Sequence, residues 1–404
     1  MTVDVRTCTD TDELRQALNA ISHYFGHENQ TEDAERFAQW IEVERMHAAW
    51  DDGKVVGGAG AFTYEMSVPG GASVPAAGVT VVGVLPSHRR RGVLTSMMRA
   101  QLADSRARGD LVAYLWASEA TIYPRFGYGL ASRIGELTLA RDRTRFAQPF
   151  EPRGMVRLVD LDESAKAFPP LYEEMRKQRP GMFKREKAWW ETRRLHDDPA
   201  RRSGGPLNRA LLELDGKPAG YALYRVKQDW SNGASSGEVT VGEAVAPTPE
   251  AARELWRWMF DFDWTSKFVA GLLPIDHELF LLLAEPRRMG FRLNDGVWVR
   301  ILDVGGALSA RAYTGDGEVV LDVNDALIAE NAGRWRVGSG GAERTDADAD
   351  LRVDVTGLGS VYLGGFTFAQ LVRAFRAEEL KPGAIERADA LFATGREPWC
   401  PEIF

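Results

Sequence analysis

Apolar and polar positions in the first 150 residues follow two different periods. From Val79 to Val84 the chain is β-branched and apolar with almost no polar alternation, the pattern of a strand buried on both faces. Pro86 cannot continue a ladder, so this strand ends there. Leu94, Met97, Met98 and Leu102 then recur at i, i+3, i+4 and i+8, the apolar stripe of an amphipathic helix. The same reading places a first strand at Val3–Val5 and a helix over Asp10–Ala20. That helix carries Leu14, Ala17, Leu18 and Ile21 on one face, and Thr11 or Asp12 is its cap. A second helix is expected to carry Phe37, Trp40, Ile41 and Met46. Asp52 and Gly53 form a favoured hairpin turn, with Val55–Met66 as the return strand. Leu111–Ala117 is the next strand. Ser118 and Thr121 are expected to cap a short helix ended by Gly127 and Gly129, with Tyr123 in its first turns.

The order then repeats. Val156 begins a strand, Glu163–Arg179 a helix, and the polar loop Arg201–Pro206 leads to a hairpin turning at Asp215 and Gly216. Val239–Val245 is followed by Pro247 and a helix through Leu255, so strand, proline and helix return as an internal repeat at domain scale. No arginine run or glycine stands at this second turn. Glu250 and Glu254 occupy the helix start and would repel phosphate, so this unit is expected not to bind the same ligand. From Val297 onward come strands at Trp298, Glu318, Trp335 and Leu351. They accompany helices at Gly306–Ala312, Phe368–Glu378 and Ile385–Phe392, an α+β module without a phosphate motif.

A chain of 404 residues exceeds the usual limit of one core, and three domains are expected, at 1–154, 155–290 and 291–404. Apolar content of 44% and charged content of 27% are those of a soluble globular protein. No apolar run is long enough to span a bilayer, and no leader peptide is read at the N-terminus, so a cytoplasmic location without membrane partners is expected. Cys8 and Cys400 are too few for a zinc site, and six scattered histidines lack metal spacing, so no metal is expected. A net charge of −8 argues against nucleic acid and favours a cationic partner.

The chemistry concentrates between the first apolar strand and its helix, at Arg89, Arg90, Arg91 and Gly92. A glycine at a helix start lets backbone approach a ligand, and the unpaired first-turn N–H groups attract anions. Three arginines beside them suit a large anion, such as a pyrophosphate with a further phosphate.

This turn, with Arg89, Gly92 and Leu94 at their spacing, resembles the cofactor motif of the GCN5-related N-acetyltransferases (GNAT). The stretch from Ala117 through Glu119, Tyr123 and Phe126 to Gly129 adds a more specific likeness, to the Eis (enhanced intracellular survival) family. That resemblance implies tandem GNAT folds, the second degenerate, and a C-terminal sterol-carrier-protein-like α+β domain. It implies an acetyl-CoA-dependent N-acetyltransferase that acts on aminoglycoside-like polycationic amines, at several positions, and assembles as a homohexamer. Val82, Gly83 and Val84 would face the pantetheine arm, Arg89–Arg91, Gly92, Val93, Leu94 and Thr95 the pyrophosphate, and Ser118 and Glu119 would flank the cofactor. Tyr123 would be general acid and the terminal carboxylate of Phe404 general base. Phe25, Trp40 and Glu402 are weaker candidates for the acceptor channel. A protein-lysine acetyltransferase and a non-catalytic acyl-CoA or lipid-binding scaffold are the alternative functions. The tail itself supports docking, since Trp399, Ile403 and Phe404 are apolar and Pro398 and Pro401 stiffen it.

Overall fold

The computed structural model describes residues 3–197 and 204–404; Arg201, Arg202 and Ser203 of the expected polar loop lie outside them. The chain forms two compact units. One contains the chain up to Ser132, Val297–Gly395 and Ile403–Phe404; the other contains Arg133–Gly296 and Arg396–Glu402.

The first unit is built on strands β1 (Asp4–Thr7), β2 (Met46–Asp51), β3 (Lys54–Ser67), β4 (Ser73–Val84), β5 (Val112–Trp116) and β6 (Gly129–Leu130). Helices α1 (Thr11–Ser22), α2 (Thr31–Phe37) and α3 (Val93–Ala107) accompany them. The second unit holds β7 (Arg133–Ala140), β8 (Met155–Leu158), β9 (Asn208–Leu214), β10 (Lys217–Lys227), the short ladder of β11 (Trp230–Ser231) and β12 (Ala234–Ser235), β13 (Glu238–Val245), β14 (Lys267–Pro274) and β15 (Arg292–Asp295). The first unit then resumes with β16 (Val297–Ile301), β17 (Glu318–Asn324), β18 (Gly333–Gly338), β19 (Gly341–Arg344), β20 (Leu351–Asp354) and β21 (Ala377–Glu379). The last five of these form a sheet of their own, in the order β19-β18-β17-β20-β21. β16 instead inserts between β5 and β6 of the first sheet, whose order is β1-β2-β3-β4-β5-β16-β6. The second unit's sheet runs β15-β7-β14-β13-β10-β9-β8.

Residues of β4 from Ala76 to Val79 are buried, but of the run Val79–Val84 expected to be buried on both faces, Thr80, Val81, Val82 and Val84 are only half-buried, because β4 loses its β5 neighbour past Gly78. Apolar side chains from β3, β4, β5 and α3, including Ala61, Val79, Met98, Leu102 and Leu115, form one core beneath them. α1 approaches the opposite face closely: a Cβ at Gly83 would lie 2.8 Å from Ile21 Cα. Its cap is Asp10, one residue before the two expected candidates, with Oδ1 accepting from Asp12 and Glu13 N–H.

Three expected elements differ. The second helix ends at Phe37, Trp40 lies in a turn, and Met46 begins β2; four apolar residues within ten matched helical spacing although only the first is helical. No helix follows Ser118; turns lead to a single 3₁₀ turn at Pro124–Phe126, because Pro124 removes a donor where a helix would need one. The segment after Thr367 is helical only to Arg373, and Ala377–Glu379 pairs as β21 beside β20.

Candidate functional site

β4 and β5 run parallel and are hydrogen-bonded only from Ala76 to Gly78 against Val112 to Tyr114. β4 continues six residues past Gly78 to Val84, still bonded to β3, and β5 two past Tyr114 to Trp116, still bonded to β16, without pairing to each other. The sheet therefore opens into a fork. Burial relaxes along its free edge, where Thr80, Val81, Val82 and Val84 are half-buried. The β3–β4 register slips between Gly58 and Gly60, and Val81 takes a φ of 47°. A β-branched residue there is strained, and such a bulge turns backbone groups out of the ladder.

At the end of β4 the chain turns through Pro86–His88, with His88 Nε2 3.1 Å from Asp51 Oδ2. Arg89, Arg90 and Arg91 are exposed, and none makes an ion pair among the described residues. Gly92 caps α3 at a φ of 83°, and no side chain caps the helix, so its first N–H groups stay available. A Cβ at Gly92 would meet no atom within 4 Å, so glycine is needed for the backbone angle, over open space. Val93 is buried beneath α3, whereas Leu94 and Thr95 are half-buried at its start. Gly83 is buried against Ile21, and the Val84 carbonyl accepts from the Tyr24 hydroxyl at 2.6 Å.

Tyr123 precedes the 3₁₀ turn and is 6% exposed. It joins the core that includes Ala77, Val79 and Leu115, against which Val82 and Leu94 also pack. Burial, with Glu119 nearby as a lesser cause, pushes its phenol up to about 12, so it stays protonated at neutral pH. Ser118 and Glu119 are exposed in the preceding turn.

Phe404 lies on the opposite face, 8% exposed. Its ring meets Tyr114 at 4.8 Å and Tyr64 at 5.3 Å between centroids, both edge-on. These are side chains of β5 and β3 that flank Gly78, the last residue of β4 paired with β5. The row continues from Tyr64 to Phe62 at 5.4 Å, Phe62 to Phe37 at 5.7 Å and Phe37 to Trp40 at 6.0 Å. Trp40 thus ends an aromatic row that begins at Phe404. Phe25 stands apart from it, 76% exposed after α1. Glu402 belongs to the second unit, where its carboxylate accepts from Trp189 Nε1 at 3.0 Å and pairs with Arg185 at 2.9 Å.

Tyr64, Tyr114 and Gly78 had escaped sequence reasoning. The alternation of Phe62 with Tyr64 along β3 carried a signal for an aromatic face of that strand, but Tyr114, two strands away across β4, left no local signal. A Cβ at Gly78 would fall 2.3 Å from Tyr64 Cε2 and 3.4 Å from Phe404 Cε2. Gly78→Ala is therefore expected to displace the Tyr64 ring and loosen the seat of Phe404, destabilising the chain by about 1–3 kcal/mol. Thermal unfolding measures the loss; an unchanged midpoint would show that the ring does not depend on this gap.

Among the described residues, no cluster of three His, Cys, Asp or Glu side chains could hold a metal ion, and no helix is long and apolar enough to cross a membrane.

Residues 4–131 and 181–301 each match an acetyltransferase (GNAT) domain family, and 304–401 match a sterol carrier protein domain. An uncharacterized N-acetyltransferase of Streptomyces avermitilis is 39% identical, over all of both chains. The N-acetyltransferase Eis of Mycobacterium tuberculosis is 37% identical over 84% of each. The crystal structure of Eis1 from Mycobacterium abscessus superposes with a TM-score of 0.86 at 35% identity, covering 99% of this chain and 100% of that one.

Proposed function

The chain belongs to the Eis family of GNAT N-acetyltransferases, and from that premise we propose that it acetylates amines of aminoglycoside-like polycations, at more than one position, from acetyl-CoA. Tyr123 acts as general acid and the Phe404 carboxylate as general base. One observation carries this reading. The fork past Gly78 and Tyr114 has the protonated Tyr123 phenol in the core beneath one face and Phe404 seated on the other.

The residues present fit acetyl-CoA. Three exposed arginines, without ion pairs among the described residues, and an uncapped helix start supply charge and N–H donors for a pyrophosphate. The unpaired edge of β4 supplies backbone groups for an extended pantetheine arm. In the transfer, the amine lone pair bonds the thioester carbon, the C–S bond breaks, and the sulfur leaves as thiolate. The terminal carboxylate takes the proton that the attacking nitrogen loses. A phenol pKa of about 12 lies well above a thiol's value of about 8.5, so Tyr123 serves first as a hydrogen-bond donor to the sulfur, matched to charge as it develops.

The net charge of −8 favours a polycationic acceptor by long-range attraction. The row of rings from Trp40 to Phe404 would form an apolar wall along the acceptor path, while Phe25, exposed and apart from that row, is not part of it. Glu402, committed to Arg185 and Trp189, is withdrawn from that role. The assembly is a cytoplasmic homohexamer on this reading, which sizing in solution tests: a monomer at working concentration would refute it.

Replacing Arg90 and Arg91 by alanine is expected to raise KM for acetyl-CoA about ten- to a hundredfold for each charge-assisted hydrogen bond to phosphate that is removed. The kcat should change little, because these groups hold the cofactor equally before and during transfer. Steady-state kinetics with varied acetyl-CoA decide it, and a fall in kcat alone would contradict the assignment.

A further inference from the structure

The second unit repeats the architecture of the fork. β13 and β14 run parallel and pair only from Glu238 to Val241 against Lys267 to Ala270, while β13 continues to Val245 and β14 to Pro274. The helix after β13 starts differently from α3. Thr248 Oγ1 accepts from Ala251 N–H, and Pro249 occupies its first turn. Glu250 pairs with Arg153, and Glu254 is buried, accepting the Arg153 backbone N–H and pairing with Arg257. No anion seat is left at that helix start.

The space beyond the ladder is taken by the chain's own C-terminal segment. Trp399 donates through Nε1 to the carbonyl of Leu272, on β14 past its last residue paired with β13, at 2.5 Å. Its backbone N–H donates to Pro180 O at 2.8 Å, and its ring is buried in the same apolar cluster as Val245 and Tyr221. Upstream, Arg179 Nη1 donates to Glu397 O at 3.1 Å and pairs with Asp276, which accepts the Glu397 N–H. Downstream, the Glu402 carboxylate meets Arg185 at 2.9 Å and Trp189 Nε1 at 3.0 Å. Arg185 is fully enclosed, held by both oxygens of Glu243 on β13 at 3.0 and 2.6 Å and stacked 4.1 Å over Tyr172. Burial alone would raise the Glu243 carboxyl, but Arg185 and Arg194 hold it down to about 2, so the ion pair persists across physiological pH.

We propose that the cofactor fork of the second fold has become a binding site for an acidic, aromatic peptide, the segment Glu397–Glu402 of this same chain. Trp399 is its anchor, and Arg185 positions Glu402 and, through it, the terminal residue. Glu402 stands two residues before Phe404, and two residues of extended chain span at most about 7 Å. Pinning Glu402 therefore tethers the terminal carboxylate within that reach. This inference rests on the reading of Phe404 as general base.

Hydrogen exchange and steady-state kinetics on the full-length chain test it, using Trp399→Ala and Glu402→Gln. The expected result is at least roughly tenfold faster exchange at the Glu397 and Trp399 amides, with the β9–β10 hairpin amides unchanged. Turnover should fall by roughly ten- to a hundredfold while KM for acetyl-CoA stays within about twofold, as for a misplaced base with intact cofactor binding. Glu402→Asp, which keeps the charge for Arg185, should recover part of the missing turnover. Unchanged exchange at Trp399 and Glu397 in both variants overturns the docking site. Faster exchange with full turnover overturns the positioning role, and if one glycine appended after Phe404 abolishes turnover in parallel, the base assignment survives alone. Full turnover in that extended chain removes the base assignment and the positioning role together.

Discussion

A chain carrying one glycine after Phe404 is expected to acetylate amines about 100- to 10,000-fold more slowly than the native chain, the range of a missing general base. The extension replaces the carboxylate at Phe404 with a neutral amide and carries the charge one residue, about 3.3–3.6 Å, further on. The Phe404 ring keeps its seat between Tyr64 and Tyr114, so folding should be little affected. Thermal unfolding within about 2 °C of the native chain would confirm that point, and kinetics then read the chemistry alone. The loss should fall on kcat, with KM for acetyl-CoA nearly unchanged, since nothing that binds the cofactor is altered. Native kcat in the extended chain would mean that another group takes the proton.

Tyr123→Phe should lower kcat by about a hundredfold through removal of one donor to the departing sulfur. The change deletes only a hydroxyl from a core that includes Val79 and Leu115, so the fold should persist. The pH dependence follows from the sign of the shift. Burial raises the phenol pKa to about 12, so the competent protonated form is fully present at neutral pH and disappears only as pH rises through about 12. The native profile should therefore show no alkaline fall from this group between about pH 7 and 10, and the variant profile should run parallel beneath it. An alkaline limb near pH 9 that disappears in Tyr123→Phe would contradict the burial argument.

The anion turn was legible because its parts are local in sequence. Strand period, Pro86, three arginines, Gly92 and helix period follow one another within twenty-odd residues, and the fold arranges them in that order. The three-part architecture was legible through its repeat of hairpin, strand, proline and helix. The placement of β16 was not. Trp298 and its neighbours read as a strand of the module they precede, and only long-range pairing with Leu115 and Leu130 assigns them to the first sheet. The end of the second helix was missed because Trp40, Ile41 and Met46 keep helical spacing by coincidence of turn and strand. The aromatic seat at Gly78 and the enclosed Arg185 pair each join residues distant in the chain, and no local pattern reports such neighbours. Glu402 illustrates the limit: its acidity at the chain end read as an acceptor contact, whereas burial commits it to Arg185.

Release of free thiol from acetyl-CoA, followed against a panel of aminoglycosides and simple monoamines, is the direct test of whether this chain acetylates polycationic amines. Saturable release is expected with the polycationic aminoglycosides, with more than one acetyl group per acceptor by mass, and far weaker release with monoamines. Thiol release no faster than spontaneous hydrolysis with every amine on the panel would contradict it and leave a chain that binds acyl-CoA without transferring its acyl group.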